Sequence, residues 1–401
     1  MALYDGVDRQ CIVAGLLLHL PSSGQFVPRR RMIDRCIPQR WKFSVRKAAK
    51  KPDAMEGTVP MHAMPSISLL GQSLWVRCLL GLTAIVCSRS TVQGQSPKGW
   101  SVKAESASAV VLQGETQVAR FGHADGPKPI LWPLIGPGHW LATRQWPMSD
   151  GTAGEKQDHP HHRSLWMTHG AVNGVDFWSE SPGHGSIGTT SLSTKQDPQG
   201  AWCQIDSTHD WLAPSGKRVL TETRTMRFSG GDLATVIDLD IRLLASDGPV
   251  EFGDTKEGSF GIRVAEWMKV DAKLGGKITS SRGKIDGDAW GLPAEWVDYT
   301  GDHQGERVGI AILCHPSGYR APGRWHVRTY GLFAHNPFGR KDFPEVEGES
   351  REGGATLPAG ETMLLAYRVI LHRGEASLSL LPKWYEDYAS MKKTLLPQPA
   401  P

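Results

Sequence analysis

The stretch TMLLAYRVILH, residues 362–372, decides the fold class of this chain. It is a nearly unbroken apolar run that is rich in branched side chains and contains neither Gly nor Pro. A run of this kind is typical of a strand that is buried on both faces. We therefore predict that residues 362–372 form a long central strand of a sheet.

Shorter apolar runs of the same character lie upstream, at residues 109–112, 129–132, 235–241 and 308–313. Turn-forming pairs of Gly with Pro, Asp or a second Gly separate them, and the chain contains 45 Gly and 15 Trp residues. Helix-like sequence is confined to the neighbourhood of residues 382–388. The pattern predicts an all-β protein: a large antiparallel β-sandwich with a short C-terminal helix.

Charge is distributed unevenly along the 401 residues, whose formal net charge is +4. Residues 1–94 hold 13 of the 45 Lys and Arg residues but only 5 of the 41 Asp and Glu residues, so the rest of the chain is mildly acidic. No basic stripe with interleaved aromatic residues occurs in it. Because such stripes attract phosphate backbones, we expect no nucleic-acid partner.

The N-terminal part has the order of regions that marks a secretory signal peptide. Residues 78–87 (CLLGLTAIVC) are apolar, follow Arg77 and precede small and polar residues that end near Gly94. The run is too short to span a bilayer as a helix. A buried helix or a membrane anchor is the alternative. We predict a secreted or periplasmic protein without stable membrane insertion, composed of a disordered extension at 1–63, a signal peptide at 64–94 cleaved near Gly94, and one β-sandwich domain at 95–401.

Two cysteines, Cys203 and Cys314, follow the predicted signal peptide. In an oxidising compartment they could form one disulfide, but their spacing does not decide whether they pair. The chain has no CxxC pair, which excludes a structural zinc ribbon.

Residues 158–167, DHPHHRSLWM, place three of the 15 histidines within four positions. Imidazole is suited to proton transfer near neutral pH and to binding transition metals. Pro160 favours extended geometry at His159, and in an extended segment His159 and His161 project to one side and His162 to the other. We expect His161 and His162 to act in acid–base chemistry. His159 and His161 could together hold a divalent metal, and a histidine-rich surface loop is the alternative.

Glu257 is the best single candidate for a catalytic carboxylate. It lies beside Lys256 and directly before a glycine, in the polar segment DTKEG at residues 254–258. A carboxylate at a strand end near Arg and His can have its pKa shifted in either direction. Its alternative role is a surface salt bridge.

The segment at residues 326–339 carries a second polar group. Strand alternation places His326, Arg328 and Tyr330 on one face. Because such side chains are buried only with partners, we predict that this strand and residues 158–163 line one pocket, with Glu257 at its edge.

Several of these motifs, taken in order, resemble those of a family of bacterial, often planctomycete, secreted proteins that bears the name methane oxygenase PmoA. The resemblance covers roughly residues 100–375. It rests on the sequences WPLIGP (132–137), DHPHHRSLW (158–166), NGVDFW (173–178), DTKEG (254–258) and HVRTYGLFAHNPFG (326–339).

The resemblance implies a fold similar to that of galactose mutarotase-like proteins, whose concave sheet holds sugars with histidines and a carboxylate. The chain lacks the several apolar spans of the membrane methane monooxygenase subunit, so we do not expect that activity.

The leading hypothesis is a carbohydrate-active enzyme, an epimerase, lyase or hydrolase, whose ligand is a small molecule or an oligosaccharide. A metal-dependent oxidoreductase or hydrolase and a non-catalytic carbohydrate-binding module are the alternatives, and no cofactor is certain. The candidate catalytic residues are His161, His162, Glu257 and His326. The candidate substrate-binding residues are Arg163, His169, Arg263, Arg328, Tyr330 and Asn336.

Overall fold

The computed structural model describes residues 99–376 and 380–393, and these form 18 strands and one α-helix. The strands are β1 (Trp100–Ala104), β2 (Ala109–Gln113), β3 (Thr116–Gly122), β4 (Ile130–Leu134), β5 (Leu165–His169), β6 (Ser186–Gln196), β7 (Trp202–Leu212), β8 (Arg218–Gly230), β9 (Ala234–Leu244), β10 (Val250–Phe252), β11 (Gly258–Arg263), β12 (Lys277–Ser280), β13 (Trp296–His303), β14 (Glu306–Cys314), β15 (Arg324–Val327), β16 (Leu332–Asn336), β17 (Ala355–Leu357) and β18 (Thr362–Arg373). The helix is α1 (Leu381–Ala389), and short 3₁₀ turns occupy Glu266–Met268, Val270–Ala272 and Asp286–Ala289.

Two eight-stranded sheets make up the sandwich. The first sheet has the order β1-β2-β3-β4-β5-β11-β16-β15, and the second has the order β12-β13-β14-β18-β9-β8-β7-β6. Neighbouring strands within both sheets pair antiparallel, as does the small pair β10–β17. The all-β antiparallel sandwich with a short C-terminal helix, predicted from the sequence, is confirmed.

Strand β18 occupies the centre of the second sheet, between β14 and β9. On its inner face, Tyr367 crosses the core to the first sheet: its ring stacks on Phe260 of β11 at 4.3 Å, and its hydroxyl lies 3.0 Å from Nδ1 of His335 on β16. On its outer face, Ile370 packs against Tyr388 of α1. The run at 362–372 therefore has apolar side chains on both faces of the strand, because the core lies on one side and the helix on the other.

The outer face of the first sheet, turned away from this core, is where the polar motifs converge. Phe260 and Ile262 of β11 belong to the core, so Gly261 between them points outward. Gly261 is required because a Cβ there would lie 2.8 Å from the ring of Trp166 on β5. Directly paired outward residues form a row across six strands. This cross-strand row is Gly122, Ile130, Trp166, Gly261, Ala334 and His326.

Both cysteines of the described part are free and buried, so the disulfide that they could have formed is absent. Cys203 lies on β7 and Cys314 on β14, and three strands separate β7 from β14 in the second sheet. At about 4.8 Å per strand this separation is far beyond the reach of a disulfide. Burial raises the pKa of the Cys203 thiol to about 12.

The predicted extension at 1–63 and signal peptide at 64–94 lie outside the described residues. Within the described residues, no helix is long and apolar enough to cross a membrane.

Candidate functional site

The histidine segment forms a tight turn. His159 adopts a left-handed conformation with φ 47°, and the N–H of His162 donates to its carbonyl over 3.0 Å. Nη2 of Arg144 donates to the same carbonyl over 2.9 Å. The expectation of an extended segment at Pro160 is therefore wrong, because the turn and Arg144 hold His159 in place. As a result, the three histidine rings lie together instead of on opposite sides.

Four rings stack in series on the outer face of the first sheet. Tyr330 stacks on His159 at 5.5 Å, His159 on His162 at 4.9 Å, and His162 on Trp166 at 5.4 Å, all within 15° of parallel. Trp166, on strand β5, is the buried base of this ring stack. The ring stack joins the two polar segments, which are distant in sequence.

A shared carboxylate anchors the turn from one side. Oδ1 of Asp158 accepts hydrogen bonds from Nη1 of Arg144 over 2.6 Å and from Nη2 of Arg263 over 2.9 Å. Both guanidinium groups are fully buried. Burial by itself would raise the pKa of Asp158, but Arg263 and Arg144 together hold it below its usual value. The carboxylate is therefore ionised at neutral pH and balances two buried cations.

His162 lies beneath the accessible surface, 1% exposed. Its Nδ1 is 3.3 Å from Nη1 of Arg263, which can only donate, so Nδ1 accepts. Burial, reinforced by the neighbouring His161 and Arg263, holds the pKa of His162 well below its usual value. Its place within the ring stack suits it to orienting His159. Its predicted catalytic role stays a prediction.

His161 is half-buried at the edge of the ring stack, and its ring meets His162 edge-on at 4.4 Å. Below it, Nζ of the buried Lys128 donates to the His161 carbonyl over 2.8 Å and lies 3.3 Å from Glu180. Burial, reinforced by the charge of Lys128, lowers the pKa of His161 to about 4. The imidazole is therefore neutral at pH 7 and able to accept a proton.

His326 is the outward residue of β15 that ends the cross-strand row. Its Nδ1–H donates to the carbonyl of Lys256 over 2.8 Å, which leaves Nε2 as the basic nitrogen of the ring. Burial lowers the pKa of His326 to about 4, although the charge of Glu257 opposes this shift. His326, like His161, is therefore a neutral imidazole at pH 7.

Glu257 links the two histidines electrostatically. Its side chain is 37% exposed, and its carboxylate lies 2.8 Å from Nζ of Lys256. The charge of Glu257 acts on the pKa values of both His161 and His326, as well as on that of Tyr330. Glu257 follows Lys256, whose carbonyl accepts from His326, and that these groups line one pocket with the histidine turn stays a prediction.

Arg328 and Tyr330 do not lie on a strand face, so that expectation is wrong. Strand β15 ends at Val327, because the N–H of Arg328 donates to the Leu332 carbonyl and starts the turn into β16. The turn nevertheless points both side chains toward the site. The Arg328 guanidinium lies 5.3 Å from the ring of Trp290 and 5.7 Å from that of Tyr330, and the Arg263 guanidinium covers Tyr330 at 4.9 Å.

Four of the six predicted sugar-binding residues are engaged by protein groups. The fully buried Arg263 is bound to Asp158 and His162. Arg163 forms a bidentate ion pair with Glu180, at 2.8 and 2.9 Å. The buried ring of His169 bridges the Gly253 carbonyl and the Ser259 hydroxyl.

The amide of Asn336 donates to the Thr255 carbonyl over 2.8 Å and accepts from the N–H groups of Phe338 and Gly339. His169 and Asn336 thereby hold the segment that leads into Glu257. Sugar binding by Arg163, His169, Arg263 and Asn336 stays a prediction.

Several residues of the site were not singled out in the sequence. Arg144, Lys128 and Glu180 act through ion pairs between segments that are distant along the chain. Trp290 belongs to a 3₁₀ turn region, apart from every motif noted above. A charged residue inside an apolar stretch, as Lys128 is in GPKPILW, was the one available hint.

The geometry does not favour the metal alternative at His159 and His161. Their rings are 5.7 Å apart and nearly perpendicular. In the part of the chain that the structure describes, no three His, Cys, Asp or Glu side chains are arranged to hold a metal ion. Metal binding stays a prediction, and metal analysis of the purified protein tests it.

Residues 108–385 match the model of DUF6807, a family of unknown function, and the chain belongs to this family. The match does not bear on the name methane oxygenase PmoA. A comparison with curated proteins finds no match.

Solved structures with a similar fold include carbohydrate enzymes. A family 36 α-galactosidase from Geobacillus stearothermophilus is 11% identical, with a TM-score of 0.36 over 68% of this chain and 41% of its own. A family 97 glycoside hydrolase in complex with panose, from Pseudoalteromonas sp. strain K8, is 13% identical, with a TM-score of 0.28 over 69% and 34%. A galactose mutarotase related enzyme from Lactobacillus acidophilus is 9% identical, with a TM-score of 0.28 over 68% and 97%. This chain spans less than half the length of the two hydrolases, and their activities do not transfer to it on this likeness.

Proposed function

We propose that this protein binds a sugar on the outer face of its first sheet and converts it by proton transfer, as a secreted epimerase, lyase or hydrolase. One observation carries the proposal. The carbonyl of Lys256, beside the partly exposed Glu257, holds His326, and His161 lies at the edge of the ring stack, with burial keeping both imidazoles neutral at pH 7. Secretion rests on the sequence pattern at 78–87 alone.

The chemistry follows from these protonation states. Epimerisation and elimination need one group that removes a proton and another that delivers one, and hydrolysis needs a base for water and an acid for the leaving group. A neutral imidazole accepts a proton through its basic nitrogen, which in His326 is Nε2. Glu257 supplies a carboxylate that can share the proton pathway. The group that removes the proton from the substrate or from water becomes protonated, and it can then return that proton to the substrate or deliver it to the leaving group.

Ligand binding is supported by the accessible groups around this centre. The rings of Tyr330 and Trp290 are partly exposed and offer flat apolar surfaces to the C–H faces of a sugar. The guanidinium of Arg328 and the ammonium of Lys256 supply donors for hydroxyl or carboxylate oxygens. An apolar platform with a few convergent polar groups is the usual composition of a small-molecule site.

The test is a sugar panel, assayed for binding and turnover with the wild type, His161→Ala and His326→Ala. Each substitution should abolish turnover or binding and leave thermal stability nearly unchanged. Because His326 is buried, His326→Gln is measured beside it to separate lost chemistry from lost packing. His303→Ala, on β13 of the second sheet, is the matched control and should behave as the wild type.

Unfolding of both variants, with normal sugar affinity in the folded fraction, would show that the cluster is structural. Binding without turnover across the panel would favour a carbohydrate-binding module. Turnover that a chelator abolishes and a divalent metal restores would favour the metal-dependent alternative.

A further inference from the structure

A cavity of about 400 Å³ opens on the same outer face of the first sheet. Its lining includes Glu105, Ser108, Arg120, Asp125 and Trp132. We propose that this cavity is a second sugar subsite, so that the ligand is a neutral oligosaccharide that spans both positions. The inference rests on the proposed function and extends it from a sugar to a chain of sugars.

The cross-strand row fixes where the cavity lies. Gly122 lines the cavity and begins the row, Trp166 carries the ring stack two strands away, and His326 ends the row. At about 4.8 Å per strand, the cavity is roughly 10 Å from the base of the ring stack and roughly 24 Å from His326. One sugar ring cannot occupy both places, whereas a chain laid across the strands can.

The walls of the cavity suit a hydroxyl-rich ring. Arg120 and Glu105 form a two-point ion pair, the Ser108 hydroxyl donates to Glu105 over 2.7 Å, and Arg120 donates to Ser108 over 3.0 Å. These mutual bonds hold donors and acceptors in fixed positions before a ligand arrives. The ring of Trp132, an outward residue of β4, supplies an apolar wall beside them. A volume of this size is within the range of small-ligand sites.

The charges of the cavity favour a neutral sugar. The carboxylates of Glu105 and Asp125 outnumber the guanidinium of Arg120 by one. A uronate at this position would meet a net negative wall and be repelled. Hydroxyl groups can instead donate to the carboxylates and accept from the guanidinium.

The boundary between the cavity and His161 is formed by the ion pair of Arg163 and Glu180. Nη1 of Arg163 faces the carbonyl of Ala124, which lines the cavity, over 3.5 Å. On the other side, Glu180 lies 3.3 Å from Lys128, which holds the backbone of His161. A chain that joins the two subsites would pass over Arg163, which gives this predicted sugar-binding residue a position between them.

The test is calorimetry with length series of one to six units, made of neutral galacto-, gluco-, manno- and xylo-oligosaccharides and, for comparison, of oligouronates. For the sugar type that binds, affinity should rise at least tenfold once the chain is long enough to reach the cavity. Arg120→Ala, at an exposed position, and Trp132→Ala should remove this gain and leave monosaccharide affinity unchanged. Trp202→Ala, on β7 of the second sheet, is the matched control.

The outcomes separate this inference from the proposed function. Equal affinity for short and long chains, or a length gain that survives in folded Arg120→Ala, overturns the second subsite and leaves the proposed function standing. A uronate series that gains more with length than the neutral series overturns the assignment of a neutral ligand. Absence of binding by every sugar overturns both.

Discussion

The phenol ring of Tyr330 lies parallel to the imidazole of His159, with the ring centroids 5.5 Å apart and the planes within 11°. The two residues come from segments that are far apart in the sequence, and this contact is the point at which the segments meet. The stacking continues from His159 through His162 to Trp166 on strand β5. The position of the histidine turn therefore depends on the β15–β16 turn.

Replacement of Tyr330 tests this dependence. Tyr330→Ala removes the ring contact with His159 and the cover of the Arg263 guanidinium, so the free energy of unfolding should fall by roughly 1–2 kcal/mol. Tyr330→Phe keeps the ring and should lose much less. Urea unfolding of both variants measures the difference, and equal losses in the two would contradict a role for the stacked ring.

Asp158→Asn should be the most destabilising conservative change in the site. It removes the charge that balances Arg144 and Arg263, which are both fully buried. Breaking a fully buried pair costs about 3–5 kcal/mol, and because Asp158 is 36% exposed we expect roughly 2–3 kcal/mol. Asp247→Asn is the control, since its partner Arg218 is 41% exposed, and it should lose less than about 1 kcal/mol. Similar losses of unfolding free energy in the two variants would contradict the claim that Asp158 balances two buried cations.

Acid should destabilise the protein well before its carboxylates titrate. Burial lowers the pKa values of His161, His169, His326 and His335 to about 4, from an ordinary value of 6.5. The unfolded chain therefore binds these protons first, and the free energy of unfolding falls as the pH drops from about 6.5 toward 4.

His372 acts in the opposite direction. Burial would lower its pKa, but the Asp298 carboxylate raises it, so the stability that this pair contributes is present below about pH 6.5 and lost as the pH rises through the folded pKa. Eight described histidines have a lowered pKa and one has a raised pKa, so urea unfolding at pH 7 should give a larger free energy than at pH 5. Equal or greater stability at pH 5 would contradict the neutral state of the buried histidines.

The sheets could be predicted from the sequence because their signal is local. The run at 362–372 has core on one side and α1 on the other, and both contacts require apolar side chains. The same holds for the strand predicted at 308–313, which lies within β14 (Glu306–Cys314). These apolar patterns can be recognised from residues that are adjacent in the sequence.

The local geometry of the site could not be predicted, because distant residues determine it. Pro160 favours extended backbone at His159, but the hydrogen bond from Arg144 helps hold a left-handed turn. The alternating pattern predicted a strand that continues through Arg328. Instead, the N–H of Arg328 donates to the Leu332 carbonyl, and the strand ends at Val327. The residue types of the site were visible in the sequence, and their partners were not.

The central claim is that Glu257 works with His161 and His326 on a bound sugar, and Glu257→Gln tests it most directly. The substitution keeps the shape of the side chain but removes its charge, and its exposed pair with Lys256 should cost less than about 1 kcal/mol. With the sugar that the wild type converts, we expect turnover to fall roughly 100-fold or more while sugar affinity changes far less. Glu251→Gln, at an exposed position on β10, should keep full turnover. Wild-type turnover by folded Glu257→Gln would contradict the account.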